Sequence, residues 1–442
     1  MKWHVVIRVG ESDDFLPDIP EGDAFIAFHF EYPGNARSLR TNILDQFETL
    51  FETPPTGIVL DLLQLASCVF CTDLSVPRVH SDDGWSRELH IYFPTSYRKQ
   101  WKKAEPVFRD AMNFLSGDAW HLHLRERPKP AKAVRIEHKL EHDTVCLFSG
   151  GLDSLVGMLD LIGAKKRPLL IGHYGAGMTN TFQDRLLTIL EESFPEQFQS
   201  ALCYLQPPRS AGASQHEPTM RSRSFLFLSL GLAAANILGD EVPLHVPENA
   251  LISLNVPFTF SRTGSLSTRT THPYFIALFR KFASQLGIHN EVVLPYRFLT
   301  KGEMLANCLE PQVLKKCVRK SMSCAHSETA RWQGMKPGTH CGYCVPCLIR
   351  RASTKAAKVQ DATYAIDVVK NPPPYRQKKG SDLRAVLIAL DRYDSRTRRQ
   401  RMFDVLSAGE LPSDEIGEYA DAYSRGMDEL SRLLRPRKKL TK

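Results

Sequence analysis

Residues 149–154, Ser-Gly-Gly-Leu-Asp-Ser, are of types and in an order that suit phosphate binding. The apolar run 145–148 before them predicts a strand, and the periodic apolar run after them predicts a helix. Gly150 and Gly151 allow a sharp turn and place no Cβ in the path of an approaching anion. The N–H groups of the turn and of the first helical turn then converge on one point, where the helix dipole also favours negative charge. The tract therefore predicts a phosphate-binding loop.

The side chains of this loop add to its chemistry. Ser149 and Ser154 can contribute hydroxyl groups, and Asp153 is a short acid that can hold Mg²⁺ against phosphate oxygens. The spacing differs from that of the Walker A loop and from that of the dinucleotide-binding fingerprint. The simpler alternative is a glycine-rich strand-to-helix turn that Asp153 or Ser154 caps.

A second group of residues suits metal binding. Four of the ten cysteines lie within 24 residues: Cys324, Cys341, Cys344 and Cys347. Successive CxxC spacings direct thiolates at one ion, and four thiolates complete the tetrahedral shell of a structural Zn²⁺. Two alternatives remain open, because His340 could replace Cys324 as the fourth ligand and an iron–sulfur cluster also accepts four cysteines.

Alternating strands and helices must position both groups. The patterns predict strands at 144–148, 167–174, 201–206, 243–247 and 291–296. They predict helices at 153–162, 180–193, 222–238, 272–286 and 302–309. Such an order indicates an α/β fold, a doubly wound parallel sheet whose ligands bind at the carboxyl ends of the strands.

The rest of the chain divides around this region. We expect a separate α+β N-terminal domain at 1–126, with strands at 4–9, 24–30 and 89–93 and helices at 38–51, 57–71 and 101–115. A charged linker at 127–143 precedes the α/β domain at 144–355, and a helical extension with a basic tail occupies 356–442. Cys68 and Cys71 form a CxxC inside an apolar helix, which favours a place in the core.

The amino-acid composition favours a globular protein and argues against a membrane span or a nucleic-acid site. The 442 residues are 43% hydrophobic and 24% charged, as in an ordinary globular protein, with a net charge of +8. The basic runs lack interleaved aromatic residues, so we expect surface rather than a nucleic-acid site. No stretch predicts a membrane span, the nearest being the shorter run 225–238. The first residues lack the features of a signal peptide, so a cytoplasmic location is expected.

Residues 149–154 match SGGxDS, the pyrophosphate-binding loop of the N-type ATP pyrophosphatases, called the PP-loop family, whose fold is HUP-like. The pairing of this loop with C…CGxCxxCxxR, which ends here at Arg350, resembles the QueC family, the 7-cyano-7-deazaguanine synthases. Similar pieces lie between the two motifs, namely His173-Tyr174-Gly175, Arg223-Ser224 and Lys301-Gly-Glu303. The resemblance covers about 144–355.

The resemblance implies a C–N bond-forming ligase. It would use ATP to adenylate 7-carboxy-7-deazaguanine, release pyrophosphate and AMP, and let a nitrogen nucleophile form an amide or nitrile. Asp153, Lys301 and Arg223 would be its catalytic residues, with Mg²⁺ and the loop stabilising the departing pyrophosphate. The simpler reading of Lys301 is a solvent-exposed lysine at a helix start. The residues that would bind ATP are Ser149, Gly150, Gly151, Leu152, Asp153, Ser154, Tyr174 and Gly175.

The sequence departs from the family's pattern mainly at residues that would bind the carboxylate substrate. The family's Gln-Arg-His is replaced by Ala176-Gly177-Met178. After the fourth strand the chain has Glu248, Asn249, Arg269 and His272, which could bind a substrate or only shape a polar loop, and we favour binding. Family members are also shorter. The longer architecture resembles the QueC-like components of bacterial antiphage systems such as Qat, which implies a partner-protein amine in place of ammonia. The alternatives are a PP-loop enzyme that modifies tRNA and a non-catalytic ATP-binding module.

Overall fold

Two mainly parallel sheets form the frame of the molecule. The computed structural model describes residues 1–30, 37–128, 141–175, 177–208, 217, 220–259, 269–327, 334–374 and 377–435. Its strands are β1 (Lys2–Val9), β2 (Ala24–Phe30), β3 (Arg40–Thr41), β4 (Glu88–Thr95), β5 (Ala119–Glu126), β6 (Thr144–Leu147), β7 (Pro168–Tyr174), β8 (Gln199–Gln206), β9 (Leu244–His245) and β10 (Val292–Val293). Residues 129–140 of the linker predicted at 127–143, Ala176 and residues 436–442 of the basic tail lie outside the described residues.

Helices cover both sheets. Among the described residues they are α1 (Ile43–Phe51), α2 (Gly57–Ser75), α3 (Arg98–Ser116), α4 (Leu152–Gly163), α5 (Thr179–Ser193), α6 (Arg223–Leu238), α7 (Ala250–Leu254), α8 (Pro273–Gln285), α9 (Lys301–Ala306), α10 (Pro311–Cys317), α11 (Val345–Ala356), α12 (Ser381–Asp394), α13 (Arg398–Leu406) and α14 (Ile416–Leu434). The strands and helices predicted between 144 and 309 are confirmed, most of them to within a few residues.

The second sheet positions the predicted loop. Its order is β10-β9-β6-β7-β8-β3, and every neighbouring pair is parallel except β3 with β8. β6 therefore lies inside the sheet and is buried along its whole length, as a central parallel strand should be. The loop at 149–154 follows β6 at its carboxyl end, where open α/β sheets bind ligands.

The first sheet has the order β2-β1-β4-β5, with all of its pairs parallel. The pattern had not predicted β5, in which Trp120, Leu122 and Leu124 alternate with exposed or half-exposed histidines. β3 lies within the predicted N-terminal domain but pairs with β8 at the edge of the second sheet. A single buried apolar cluster also joins residues of both sheets. The packing is therefore continuous across residue 126.

The expectation that no stretch is long and apolar enough to span a membrane is wrong for the helix α2. By length and composition alone, Gly57–Ser75 is apolar enough to do so, the one such helix among the described residues. In the fold 83% of its most apolar window is buried, and Asp61 and Asp73 lie on it within the interior. Cys68 and Cys71 are buried on this helix, as predicted. Its apolar character is that of a core helix.

Candidate functional site

The loop at 149–154 is a closed turn stabilised by its own serines. Gly150 has a φ of +80°, which a residue with a Cβ adopts only with strain. The Ser149 N–H donates to Ser154 Oγ at 3.2 Å, and that hydroxyl donates to the Gly151 carbonyl at 3.1 Å. Ser154 is therefore a structural member of the loop, whereas the Ser149 side chain is exposed. Leu152 is buried in the core, so only its backbone N–H can serve a ligand.

Two other parts of the chain support the loop. Gln183 Nε2, on α5, donates to the Phe148 carbonyl at 2.9 Å, and a Cβ on Gly150 would lie 3.2 Å from Gln183 Cγ. On the opposite side the Met322 N–H donates to the Gly150 carbonyl at 2.9 Å. Glycine is required at Gly150 for its backbone conformation, and the loop is held in one shape before any ligand binds.

Asp153 lies below the loop in a buried charged cluster. Lys301 Nζ is 2.8 Å from its Oδ1, and Asn249 Nδ2 donates to its Oδ2 at 2.7 Å. Burial is the largest influence on the pKa of Asp153 and would raise it, but the charge of Lys301 and the hydrogen bonds from Glu248, Lys301 and Asn249 together outweigh burial, so the pKa lies below its usual range. Burial, together with the charge of Asp153, raises the pKa of Glu248 well above its usual range, so Glu248 carries the proton in its hydrogen bond to Asp153.

These contacts decide several sequence predictions about Asp153 and its neighbours. Lys301 is only 7% exposed, which excludes the reading of a solvated lysine. Glu248 and Asn249 contact Asp153 and so belong to its cluster rather than to a substrate loop. Because both Asp153 oxygens are engaged, Mg²⁺ would bind there only by taking the place of Lys301 or Asn249. Once Glu248 gives up its proton, Asp153 and Glu248 would nonetheless provide the hard oxygen ligands that Mg²⁺ prefers.

Arg269 and His272 do not reach this cluster. Arg269 Nη1 donates to the Phe114 carbonyl at 3.0 Å, and its guanidinium lies 4.5 Å from the Phe114 ring centre. His272 Nδ1 accepts from the Tyr274 N–H at 3.2 Å and so caps α8, and burial lowers the pKa of His272 to about 3. Both residues join α8 to α3, and the expectation that they bind substrate gains no support.

Arg223 lies between two cavities at the carboxyl ends of β6 and β7. One cavity, of about 340 Å³, is lined by His173, Gly175, Phe70 and Arg223 among others. The other, of about 250 Å³, is lined by Arg223 and by Ser149 of the loop. The Arg223 guanidinium donates to the His173 carbonyl at 3.1 Å and to His173 Nδ1 at 3.4 Å.

No acidic side chain in the described part of the chain pairs with Arg223. Burial without such a partner lowers its pKa below the usual range. A guanidinium that lacks a carboxylate and lines two cavities is suited to bind an anion, because its planar fork matches carboxylate and phosphate oxygens.

Tyr174 and Gly175 occupy different positions from one another. Gly175 lines the larger cavity, and a Cβ there would lie 2.3 Å from Gln206 Nε2. Tyr174 instead packs against Tyr204, with ring centres 5.4 Å apart, and lines neither cavity. Only Gly175 of this pair is brought to the site.

His173 was predicted only as part of the family-like piece His173-Tyr174-Gly175, without a role of its own, and the N-terminal wall of the larger cavity was not predicted. His173 is 1% exposed, its Nε2 has no hydrogen-bond partner among the described residues, and Phe70 meets its ring edge-on at 5.1 Å. Burial lowers the pKa of His173 well below its usual range, so the ring is neutral. Its place at the end of a predicted strand was the available signal. Phe70, on α2, gave none, because packing between distant segments brings it there.

Cys324, Cys341, Cys344 and Cys347 come together as one group. Their four sulfur atoms all lie within 4.8 Å of one another. The Sγ atoms of Cys324 and Cys344 are 3.9 Å apart, close to the roughly 3.8 Å edge of a tetrahedron with Zn–S bonds of about 2.3 Å. The donor set therefore fits a metal ion such as zinc, for which four thiolates form a closed structural site.

Local backbone bonds stabilise this cysteine group. The N–H groups of His326 and Cys341 both point at Cys324 Sγ at 3.3 Å. Gly342 has a φ of +84°, and a Cβ there would lie only 2.1 Å from the Ile366 carbonyl oxygen. His340 is not part of the group: its Nε2 accepts from the Ser323 N–H at 3.4 Å, and burial lowers its pKa to about 4.

Arg350 connects the cysteine group to the loop. Its buried guanidinium pairs with Asp361 at 2.8 Å and donates to the carbonyls of Val318 and Ser321. These carbonyls belong to the segment that carries Met322, the donor to Gly150, and Cys324. A change in the cysteine group can therefore reach the loop at 149–154 through a single short segment.

Comparisons with models of known protein families and with curated proteins found no match to this chain. The function is therefore inferred from the arrangement of the residues, above all from the loop, the charged cluster below it and the guanidinium beside it.

Proposed function

We propose that this chain is an ATP-dependent ligase that adenylates a carboxylate and transfers its acyl group to nitrogen. The observation that carries the proposal is the position of Arg223, without a carboxylate partner among the described residues, between the loop cavity and the His173 cavity. One guanidinium can then orient the two anions that must react, the substrate carboxylate and the α-phosphate of ATP.

The phosphates of ATP would lie at the loop. The Leu152 N–H at the start of α4 suits the phosphate oxygens, and the Gly151 N–H would exchange its 3.3 Å bond to Ser149 Oγ for one to a phosphate. Ser149 also lines the adjoining cavity. Mg²⁺, which the Asp153 and Glu248 carboxylates could hold, would neutralise charge on the departing pyrophosphate. Lys301, 2.8 Å from Asp153, would supply a further positive charge at this end of the site.

The carboxylate substrate would occupy the larger cavity. At about 340 Å³ this cavity is of the size that small-molecule ligands use. Phe70 offers a flat apolar wall, and Gln206 offers a polar group for the edge of a heterocycle. These features support a 7-carboxy-7-deazaguanine type of substrate, the acceptor that the QueC resemblance implies.

The reaction would proceed in two transfers. A substrate carboxylate oxygen attacks the α-phosphorus, the bond to the β-phosphate oxygen breaks, and pyrophosphate leaves with the electron pair. A nitrogen nucleophile then attacks the acyl carbon, loses a proton and expels AMP, which gives an amide.

We propose that the nucleophile is ammonia or an amine of a partner protein. A role in antiphage defence and a cytoplasmic location are part of the same proposal. The cysteine-bound metal would have a structural role.

The test is a reaction of the purified chain with ATP, Mg²⁺ and 7-carboxy-7-deazaguanine, with ammonia or a candidate partner protein. We expect AMP and pyrophosphate to form in proportion to the deazaguanine. AMP release that needs tRNA and ignores the deazaguanine would overturn the proposal in favour of tRNA modification, and ATP binding without turnover would favour a binding module.

Two variants sharpen this test. Arg223→Ala should lower the rate of AMP formation by about 100-fold or more, as expected when a positioned cation on reacting anions is lost. Arg109→Ala, on the outer side of α3, removes a guanidinium that pairs only with neighbouring acids and should leave the rate unchanged. Equal rates in the two variants would contradict the role of Arg223.

A further inference from the structure

The first sheet carries a row of histidines on the face that does not pack against the core. The register pairs His4 on β1 with His90 on β4, and His90 with His121 on β5. Because neighbouring parallel strands keep alternate side chains on one face, the three rings lie side by side. Ring centres are 5.1 Å apart for His4 and His90 and 4.6 Å apart for His90 and His121.

A carboxylate completes this row. Glu88 precedes His90 by two residues on β4 and therefore lies on the same face. Its Oε1 is 3.1 Å from His90 Nε2 and 3.9 Å from His121 Nε2. The ligand atoms of Glu88, His90 and His121 all lie within 4.8 Å of one another; the Glu88 and His121 side chains are 37% and 40% exposed, and that of His90 is 14% exposed.

The surroundings keep this group open. The segment between β1 and β2 covers the far end of the face, where the Phe15 ring lies 5.9 Å from the Tyr92 ring and 4.8 Å from the Arg125 guanidinium. His4 is held by Tyr92 at 3.0 Å and by Asp23 at 3.2 Å, so both of its nitrogens are engaged. His90 and His121 remain accessible beside it.

The bonds of His90 also suit a ligand. Its Nδ1 is 2.9 Å from His123 Nε2, while its Nε2 faces Glu88. Without an ion, His90 Nε2–H donates to Glu88 and Nδ1 accepts from His123. With an ion on Nε2, the His90 proton lies on Nδ1 and is donated to His123 Nε2, while the proton of His123 moves to its own Nδ1. His123 then orients the ligand, as outer partners of metal-bound histidines do.

We propose that Glu88, His90 and His121 form a second metal site, distinct from the cysteine group, that binds a borderline divalent ion such as Zn²⁺, Co²⁺ or Ni²⁺. Two imidazoles and one carboxylate provide three ligands and leave a position for water or another donor. Lys2 Nζ, 2.9 Å from Glu88 Oε1, would move away as the ion binds.

Equilibrium dialysis of the full chain, as purified, against Co²⁺ tests this site. We expect one equivalent of cobalt to bind with only the weak visible bands of nitrogen and oxygen ligands, while the resident metal of the cysteine group stays bound. His90→Ala and His121→Ala should each lose this equivalent. His123→Gln should weaken Co²⁺ binding by about 10- to 100-fold, and His289→Ala, an exposed histidine elsewhere, should have no effect.

Retention of the resident metal and of the unfolding midpoint shows that each variant is folded. The proposal is overturned if the wild-type chain takes up no cobalt, if the His90 and His121 variants still bind it, or if the bound cobalt shows the intense charge-transfer absorption of thiolate ligands.

Discussion

At the residue scale, the neighbouring Lys301 cation stabilises the buried Asp153 carboxylate in its ionised form. The pair is buried, with Nζ 2.8 Å from Oδ1, and Glu248 adds a second acid to the cluster. Lys301→Met would leave Asp153 buried without a cation, and such a loss typically destabilises by about 3–5 kcal/mol. We expect that fall in the free energy of unfolding by urea denaturation, together with loss of AMP formation.

Two comparisons separate stability from chemistry at Lys301. The double variant Lys301→Met, Asp153→Asn should recover most of the stability, since no unpaired charge remains, but none of the activity. Arg398→Ala breaks the exposed pair with Asp421 and should cost below about 1 kcal/mol. If Lys301→Met unfolds as easily as the wild type does, the pair is not buried as described.

Glu248 gives the same cluster a pH dependence. Its pKa is raised in the folded chain, so the folded state favours the protonated acid. Stability from this group is complete below the usual glutamate pKa of about 4.3 and is lost as pH rises toward the raised value. Glu248→Gln keeps a hydrogen-bond donor and cannot ionise. The stability of this variant relative to the wild type should therefore grow with pH above about 4.3, as measured by urea denaturation across that range. A constant difference would show that Glu248 does not titrate abnormally.

At the element scale, the sequence predicted the strands and helices around the loop but not all of their contacts. The apolar run 145–148 and the glycines after it sufficed to place the loop at the end of a strand. They could not show that Met322 supports Gly150, or that Lys301 points at Asp153, because those contacts join segments over 140 residues apart. The spacing of the cysteines predicted the CxxCxxC turn, but only the fold separates Cys324 from His340 as the fourth member.

The turn of the cysteine group offers a matched pair of glycines. Gly342 and Gly334 both have a positive φ, +84° and +70°. A Cβ on Gly342 would lie 2.1 Å from the Ile366 carbonyl oxygen, whereas no atom of the described residues lies within 4 Å of a Cβ on Gly334. Gly342→Ala should therefore lose most of its bound metal, while Gly334→Ala should keep the metal and cost about 1 kcal/mol. Metal analysis of the purified variants checks this, and equal metal content would mean that the turn can shift.

At the scale of the whole molecule, the two sheets stabilise each other. The α2 and α3 helices pack on α6 and α8, and their aromatic residues join one cluster. The sequence could not predict this, because α6 is apolar on all sides and its pattern does not say which chain segment covers it. The same packing brings Phe70 to the wall of the larger cavity, so the N-terminal part contributes to the proposed substrate site.

Phe282 lies where the two parts meet. It is on α8 and is 1% exposed, and its ring centre is 5.8 Å from that of Trp101 and 5.9 Å from that of Phe108. Phe282→Ala should destabilise by about 3–5 kcal/mol, since a large buried ring leaves a cavity. Phe403→Ala, at a side chain that is 61% exposed, should change stability by less than about 0.5 kcal/mol.

Two signals show whether Phe282→Ala destabilises the whole chain or only one part of it. Four of the five tryptophans lie before residue 127, so tryptophan fluorescence reports on the first sheet. Release of the metal that we expect in the cysteine group reports on the four cysteines, which pack in a second apolar cluster. Because Met322 and Arg350 tie this group to the loop of the second sheet, we expect both signals to change at the same urea concentration, in the wild type and, at a lower concentration, in Phe282→Ala. A variant in which metal release shifts while fluorescence does not would show that the cysteine group and the first sheet unfold independently.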